Sequence, residues 1–334
     1  MKAIALLSGG LDSTLAAKLM MDQGIELEAV NFLTVFCTCT NRGETCLASQ
    51  KAVNALGIPL KVFNVSEEYL NVIKRPRHGY GSHMNPCIDC RIFMLKKSKA
   101  YMQATGASFI ITGEVLGQRP MSQRRDAMRL IEKEAELQGY IVRPLSAKFL
   151  AVTIPEKEGW ISREKLLGIQ GRSRKPQIEL ASHYGIRDYP CPAGGCLLTD
   201  PGFARRMKDL LDHQPDFSLN DVHLLKFGRH FRISPHLKLV VGRNEEDNIK
   251  IQTFAQEKDM LFKALNYPGP LSLLRGKPKE AEIAKVASIT VRYGKAKDLP
   301  EAEVLFKKAK DDSHRTITVS PLPETDIRDL MVSE

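Results

Sequence analysis

The residues best suited to chemistry begin with SGGLDST, Ser8 to Thr14, which follows the apolar run Ala3 to Leu7 directly. Adjacent glycines let a backbone take left-handed angles and approach a ligand closely. A helix start offers unpaired N–H groups and the positive end of its dipole. Ser8, Ser13 and Thr14 add hydroxyl donors, so Ser8, Gly9, Gly10, Asp12, Ser13 and Thr14 together suit a phosphate group. An ordinary capped helix also uses Ser and Asp, but two glycines with three hydroxyls exceed what a cap needs. The loop is not of the Walker type, because the G-x-x-x-x-G-K-[ST] spacing and its lysine are missing.

A second group consists of thiols. Cys87 and Cys90 form C-x-x-C at a proline-containing helix start, Cys191 and Cys196 flank a P-A-G-G turn, and FCTCTNRGETC supplies Cys37, Cys39 and Cys46. The C-x-x-C spacing serves a metal or thiol exchange equally well. Structural zinc, a three-cysteine iron–sulfur cluster with one open iron, and a pair that carries sulfur as persulfide all remain open at this point. Cys37 reads equally well as a small buried hydrophobe.

The third group is TGEVLGQRPMSQRR, residues 112–125. Gly113 allows close approach, Glu114, Gln118 and Ser122 are polar groups at one strand end, and Arg119, Arg124 and Arg125 suit phosphate. RPLSAK and GRSRK add cations that would equally suit a solvated loop. The histidines form no catalytic triad and no H-E-x-x-H motif; His78 and His83 read as loop-capping groups.

Positioning these groups takes strands alternating with helices. Apolar runs near residues 3–7, 26–33, 60–65, 108–113 and 140–146 read as strands, with helical patterns over 47–56, 66–73, 90–105, 126–138, 164–171 and 176–184. That alternation predicts an α/β doubly wound parallel sheet, with its ligand beyond the carboxyl ends of the strands, near Ser8 and Gly113. The domain boundary is expected near residue 203, giving a 1–202 nucleotide domain and a 203–334 basic α+β module. In that module 223–233, 237–251, 288–294 and 316–322 read as strands and 280–287 as a helix. Lys226, Arg229, His230, Arg232 and Lys238, interleaved with Phe227 and Phe231, suit an RNA backbone and its bases, or simply a strand with one charged face.

The 334 residues carry a formal charge of +10 and are 43% hydrophobic, with a pI near 9.2 and a mean hydropathy of −0.23. That balance fits a globular chain with a polyanionic partner. No signal peptide or long apolar stretch is read, so a cytoplasmic location with no membrane span is expected. Seven cysteines in such a chain favour thiol, metal or redox chemistry over structural disulfides.

SGGLDS resembles the pyrophosphate-binding loop of the PP-loop ATPases, which have the adenine nucleotide alpha hydrolase-like fold. CIDCRIFM, TGEVLGQRPMSQ and RPLSAK, in that order, resemble the catalytic domain of the tRNA 4-thiouridine synthetases over residues 1–200, and more loosely the tRNA 2-thiouridylases. VVGRNEEDN resembles the RNA-binding module of ribosome quality-control factors. The likeness implies ATP, Mg2+ and tRNA, with a uridine oxygen adenylated and then replaced by sulfur from sulfide or a cysteine desulfurase persulfide. It implies that Asp12 helps place magnesium and pyrophosphate, and that Gly113, Glu114, Gln118 and Ser122 line the nucleotide and base edge. It further implies a [4Fe-4S] cluster on Cys87, Cys90 and Cys196, with Cys196 preferred to Cys191; a Cys196 persulfide resolved by Cys87 or Cys90 is the competing mechanism. A small-molecule acceptor, or an RNA-binding metal protein without catalysis, are the alternative functions. The synthetases normally begin with a ferredoxin-like and RNA-binding extension, whereas this sequence is read from the ATP loop onward and no rhodanese domain is read after it, so tRNA docking is expected from the C-terminal module.

Overall fold

The computed structural model describes residues 1–38, 46–187, 189 and 195–332. It divides into two compact units, Met1–Thr199 and Asp200–Glu334. The division falls three residues before the expected boundary, because the Asp200 side chain accepts from the Phe203 N–H at 2.7 Å and so starts a helix of the second unit.

In the first unit, strands β1 (Lys2–Leu6), β2 (Glu26–Leu33), β3 (Leu60–Asn64), β4 (Phe109–Thr112) and β5 (Ile141–Val142) form a parallel sheet in the order β3-β2-β1-β4-β5. β1 is an unbroken apolar run because both of its faces are covered. Ala3 and Ala5 pack with Leu15 and Leu19 of the helix Leu11–Met21, whereas Ile4 packs on the other side with Ile92, Leu95 and Met102 of the helix Cys87–Ala104. From β1 the chain runs outward through β2 to β3 and then crosses back to β4 on the other side of β1, so the strand order reverses there. This makes the crevice beyond Leu6 and Thr112 the switch point of the sheet, where open α/β folds bind ligands. The segment 164–171, read as helical, holds only a 3-10 turn at Arg163–Lys165, since Ile169 and Gly171 instead pair their N–H groups with Leu145 and Leu116.

The second unit carries strands β6 (Arg229–Ser234), β7 (Leu237–Val241), β8 (Met260–Ala264), β9 (Ser272–Arg275), β10 (Ala302–Lys308) and β11 (Arg315–Val319), in the antiparallel order β11-β10-β8-β9-β7-β6. Two expectations are corrected here. Residues 288–294 do not form a strand: most of them continue the helix Glu280–Arg292, because Ile289, Thr290 and Val291 are buried in the core and Thr290 bonds back to Val286. Burial outweighs the β preference of that run. Residues 237–251 split into β7 and the helix Glu245–Thr253, which Asn244 caps by accepting from the Asp247 N–H at 2.9 Å. No helix of the described residues is long and apolar enough to cross a membrane.

Candidate nucleotide and sulfur site

β1 ends at Leu6, and its chain turns at Gly9, whose φ of +75° an L side chain rarely adopts. A Cβ on Gly9 would lie 2.3–2.6 Å from the Ala48 and Ser49 backbone. Gly10 then precedes the helix Leu11–Met21 without any side chain capping it. The Ser13 and Thr14 hydroxyls both donate to Gly10 O, at 2.9 and 3.1 Å, and Ser8 Oγ lies 3.3 Å from Ser13 Oγ. The start of this helix therefore keeps its first N–H groups available to an anion. Gly113, just past β4, closes the crevice from the other side, and a Cβ there would lie 2.4 Å from Ser13 N.

Asp12 faces this crevice within a polar chain. Gln177 Nε2 donates to Gln118 Oε1 at 3.0 Å, and Gln118 Nε2 donates to Asp12 Oδ2 at 2.8 Å. Asp12 Oδ1 is buried with no hydrogen-bond partner, as is Arg174 Nε, while Arg174 Nη2 lies 4.0 Å from Asp12 Oδ1. A carboxylate oxygen without a hydrogen bond, in a loose 4.0 Å ion pair with a guanidinium whose Nε also lacks one, is an arrangement that a cation and an anion together would complete. Gln177, fully buried on the helix Lys175–His183, was missed in the sequence because nothing local links it to Asp12.

Glu114 is engaged differently from its expected role at the base edge. Arg143 Nε lies 2.9 Å from one oxygen and Arg91 Nε 3.2 Å from the other, and Thr112 Oγ1 donates at 3.2 Å. Burial pushes the Glu114 carboxyl up, but the guanidiniums of Arg91 and Arg143 and the Thr112 hydroxyl outweigh it and hold the group below the ordinary carboxylate value. Arg143 also pairs with Glu132. Arg91 follows Cys90, so Glu114 ties the cysteine helix to the end of β4. Ser122 is buried within a turn closed by the Gly117 N–H on Gln123 O at 2.7 Å. Arg119, Arg124 and Arg125 are exposed, and Arg124 pairs with Asp126 at 2.8 Å.

The thiols of Cys37, Cys87, Cys90 and Cys196 influence one another and share a partly buried pocket with Tyr69. Asn85 Nδ2 donates to Cys87 Sγ at 3.3 Å, and the Tyr69 hydroxyl donates to Cys90. Burial raises the Cys90 thiol to about 11, with the Tyr69 hydroxyl and Arg91 opposing, and raises Cys196 to about 12. The loop 74–86 is pinned over this helix: the Arg77 and His78 N–H groups both donate to the Asp89 carboxylate at 3.0 Å, and His78 pairs with Glu134 at 3.2 Å. Met84 N–H donates to Leu198 O at 3.3 Å, joining that loop to the Cys196 segment. Among the described residues, no three Cys, His, Asp or Glu side chains converge to hold a metal ion. Cys39 and Cys191 and the Cys46 side chain lie outside the described residues.

The basic residues read from the second unit are largely consumed internally. Arg232 reaches Asp209 at 2.7 and 2.9 Å, Lys238 pairs with the same carboxylate, and His230 and Phe231 are buried. Arg229 stacks 4.7 Å over the Tyr293 ring.

Residues 1–149 match the family described as thiamine biosynthesis protein (ThiI), and residues 228–331 match the NFACT protein RNA binding domain. The tRNA-specific 2-thiouridylase MnmA of Pseudomonas fluorescens is 26% identical over 70% of this chain and 62% of its own length. Over its first unit, then, the chain is similar to enzymes named for tRNA thiolation. A "probable tRNA sulfurtransferase" of Lysinibacillus sphaericus is 27% identical over 55% of this chain and 46% of its own length. The chain thus spans about half the length of the curated relatives it matches first. A 4-thiouridine synthetase–RNA complex with bound ATP aligns at 21% identity and a TM-score of 0.39, over 67% of this chain and 52% of the other. The glycine-forced turn at Gly9 and the uncapped helix after it are the features on which sequence and structure agree.

Proposed function

We propose that this chain is an ATP-dependent tRNA sulfurtransferase that adenylates a uridine carbonyl oxygen and replaces it with sulfur, releasing AMP and pyrophosphate. The observation that carries the reading is the crevice at the sheet's switch point, where Asp12 Oδ1 and Arg174 Nε lie buried and unmatched beside the uncapped Leu11–Met21 helix. The family match over residues 1–149 and the names of the relatives support it.

Chemistry dictates the order of steps. A carbonyl oxygen leaves poorly as oxide or hydroxide, so it is first converted to an AMP ester, and sulfur then attacks the carbon. In this reading Ser8, Gly9, Gly10, Ser13 and Thr14 grip the departing pyrophosphate through backbone N–H and hydroxyl donors. Gln177 and Gln118 fix the Asp12 carboxylate so that its open oxygen faces the triphosphate, and Arg174 takes the adjacent negative charge. Mg2+, held by Asp12 and phosphate oxygens, would neutralise charge on the leaving pyrophosphate. Gly113, Gln118 and Ser122 border the nucleotide, and Glu114 positions the cysteine helix through Arg91.

Sulfur delivery falls to the thiol pocket, supplied by sulfide or by a cysteine desulfurase persulfide. A [4Fe-4S] cluster on Cys87, Cys90 and Cys196 would supply an open iron for sulfide. A persulfide on Cys196 is the other carrier, and anaerobic iron and sulfide analysis decides between the two. The second unit, with its match to an RNA binding domain, docks cytoplasmic tRNA.

Mass spectrometry of nucleosides from cells with and without the gene tests the reading. Loss of one thionucleoside, restored by wild type but not by Asp12→Ala, supports it. An unchanged profile, together with AMP release that needs no RNA, sinks it.

A further inference from the structure

Cys37 was left without a role in the sequence, and the fold gives it a specific neighbour. It lies beyond β2 and forms an antiparallel β-bridge with Cys196. The Leu197 N–H donates to Phe36 O at 2.8 Å and the Thr38 N–H donates to Gly195 O at 3.3 Å. Both bonds flank the cysteines and neither joins them directly. Cys37 and Cys196 are therefore a non-hydrogen-bonded cross-strand pair, the type whose side chains approach most closely, with Cα atoms about 4.5 Å apart. That separation falls inside the roughly 4.4–6.8 Å that a disulfide spans.

Thr34 fixes the Cys37 sulfur on this bridge: the Thr34 N–H donates to Sγ at 3.3 Å, and the Thr34 hydroxyl lies 3.4 Å from it. The C-x-x-C thiols are placed otherwise. Cys87 is tied to Asn85 and Cys90 to Tyr69, and both sit on the helix Cys87–Ala104 without a backbone pairing to Cys196.

We propose that Cys37 is the resolving thiol of sulfur transfer, attacking a persulfide carried on Cys196. This rests on the reading that the pocket delivers sulfur to an activated uridine. The Cys37 thiolate attacks Cys196 Sγ, the Cys37–Cys196 bond forms as the persulfide S–S bond breaks, and the outer sulfur leaves as hydrosulfide. Cys37 supplies the electron pair of the new bond and the outer sulfur leaves with the pair of the broken one, so that its reduction from the sulfane to the sulfide level is matched by one electron from each of Cys37 and Cys196 as they become a disulfide; the outgoing sulfur keeps its own proton. The hydrosulfide then attacks the adenylated carbon and expels AMP. A dithiol reductant returns Cys37 and Cys196 to thiols before the next cycle.

Two arms test this. In the first, the resting full-length chain is oxidised with diamide and its disulfides are mapped by peptide mass spectrometry, which needs no activity. A Cys37–Cys196 linked peptide is expected; Cys196 linked to Cys87 or Cys90 instead, or no linkage, overturns the proposal. In the second, chain loaded with polysulfide receives ATP and unmodified tRNA with no reductant. Thionucleoside and the Cys37–Cys196 peptide should then appear in equal amounts, while Cys37→Ser retains the sulfur on Cys196 and yields no thionucleoside. Thionucleoside formation by Cys37→Ser at the wild-type rate overturns the proposal. A wild-type chain that links Cys37 to Cys196 under diamide but makes no thionucleoside and no AMP contradicts the parent function and leaves the pairing standing.

Discussion

The crevice around Asp12 and the Arg275 and Asp209 clusters of the second unit treat buried charge in opposite ways. Around Asp12, a carboxylate oxygen, the Arg174 Nε and the Gln177 Oε1 are buried and unmatched. In the second unit Arg275 reaches Asp221 at 2.6 Å, Asp259 at 2.7 Å, Asn220 at 3.0 Å and Phe254 O at 3.2 Å. Asp209 likewise receives both Arg232 and Lys238. Unmatched buried groups are costly, and folding alone gives no reason to keep them. Charge that a fold fully spends holds the fold; charge it leaves unspent is available to a ligand.

The largest expected effects fall on Arg275 and Glu114, buried charges whose ion-pair partners lie within 3.2 Å. Arg275→Met leaves Asp221 and Asp259 facing each other without their cation and should lower unfolding stability by about 3–5 kcal/mol, read from urea midpoints, with the nucleotide site of the first unit intact. Glu114→Gln removes the carboxylate between Arg91 and Arg143 and should cost about 3 kcal/mol. The pH dependence has a definite sign. Burial pushes the folded Glu114 and Asp221 carboxyls up, but arginine and hydrogen-bond partners bring both below their ordinary values. Their stabilisation is therefore complete above the ordinary carboxylate pKa and is lost as pH falls through the lowered folded values. A urea midpoint that did not drop on acidification through that window would contradict this.

Asp12→Ala should reverse the pattern, cutting AMP formation by about 10²–10³-fold while leaving the urea midpoint near wild type. A large loss of stability would move Asp12 into the spent class. Gln177→Leu acts one bond further out and should lower AMP formation by about tenfold, more through a weaker dependence on Mg2+ than through folding. The smallest effect concerns the thiols: alkylation of Cys196 should rise about tenfold per pH unit toward its value of about 12, because only the thiolate reacts.

What the sequence revealed follows the same division. β1 and β4 were legible because doubly covered parallel strands are continuous apolar runs, and the Ser8–Thr14 turn because Gly9 must take a positive φ. The helix over residues 288–292 was not legible, since its β-branched residues are helical only through burial against the sheet. Glu114, Gln177 and Cys37 escaped for a related reason. Their roles depend on Arg91 and Arg143, on Gln118, and on Cys196, all far along the chain. The charged stretch around β6 looked like an RNA surface because the sequence does not show Asp209 waiting to take Arg232 and Lys238.

The most direct test incubates the purified full-length chain with ATP, Mg2+, a sulfur donor and unmodified tRNA, and measures AMP and thionucleoside together by mass spectrometry. The account predicts one AMP for each thionucleoside formed, both abolished by Asp12→Ala. AMP released at the same rate without tRNA, or tRNA that gains sulfur without AMP, would contradict it.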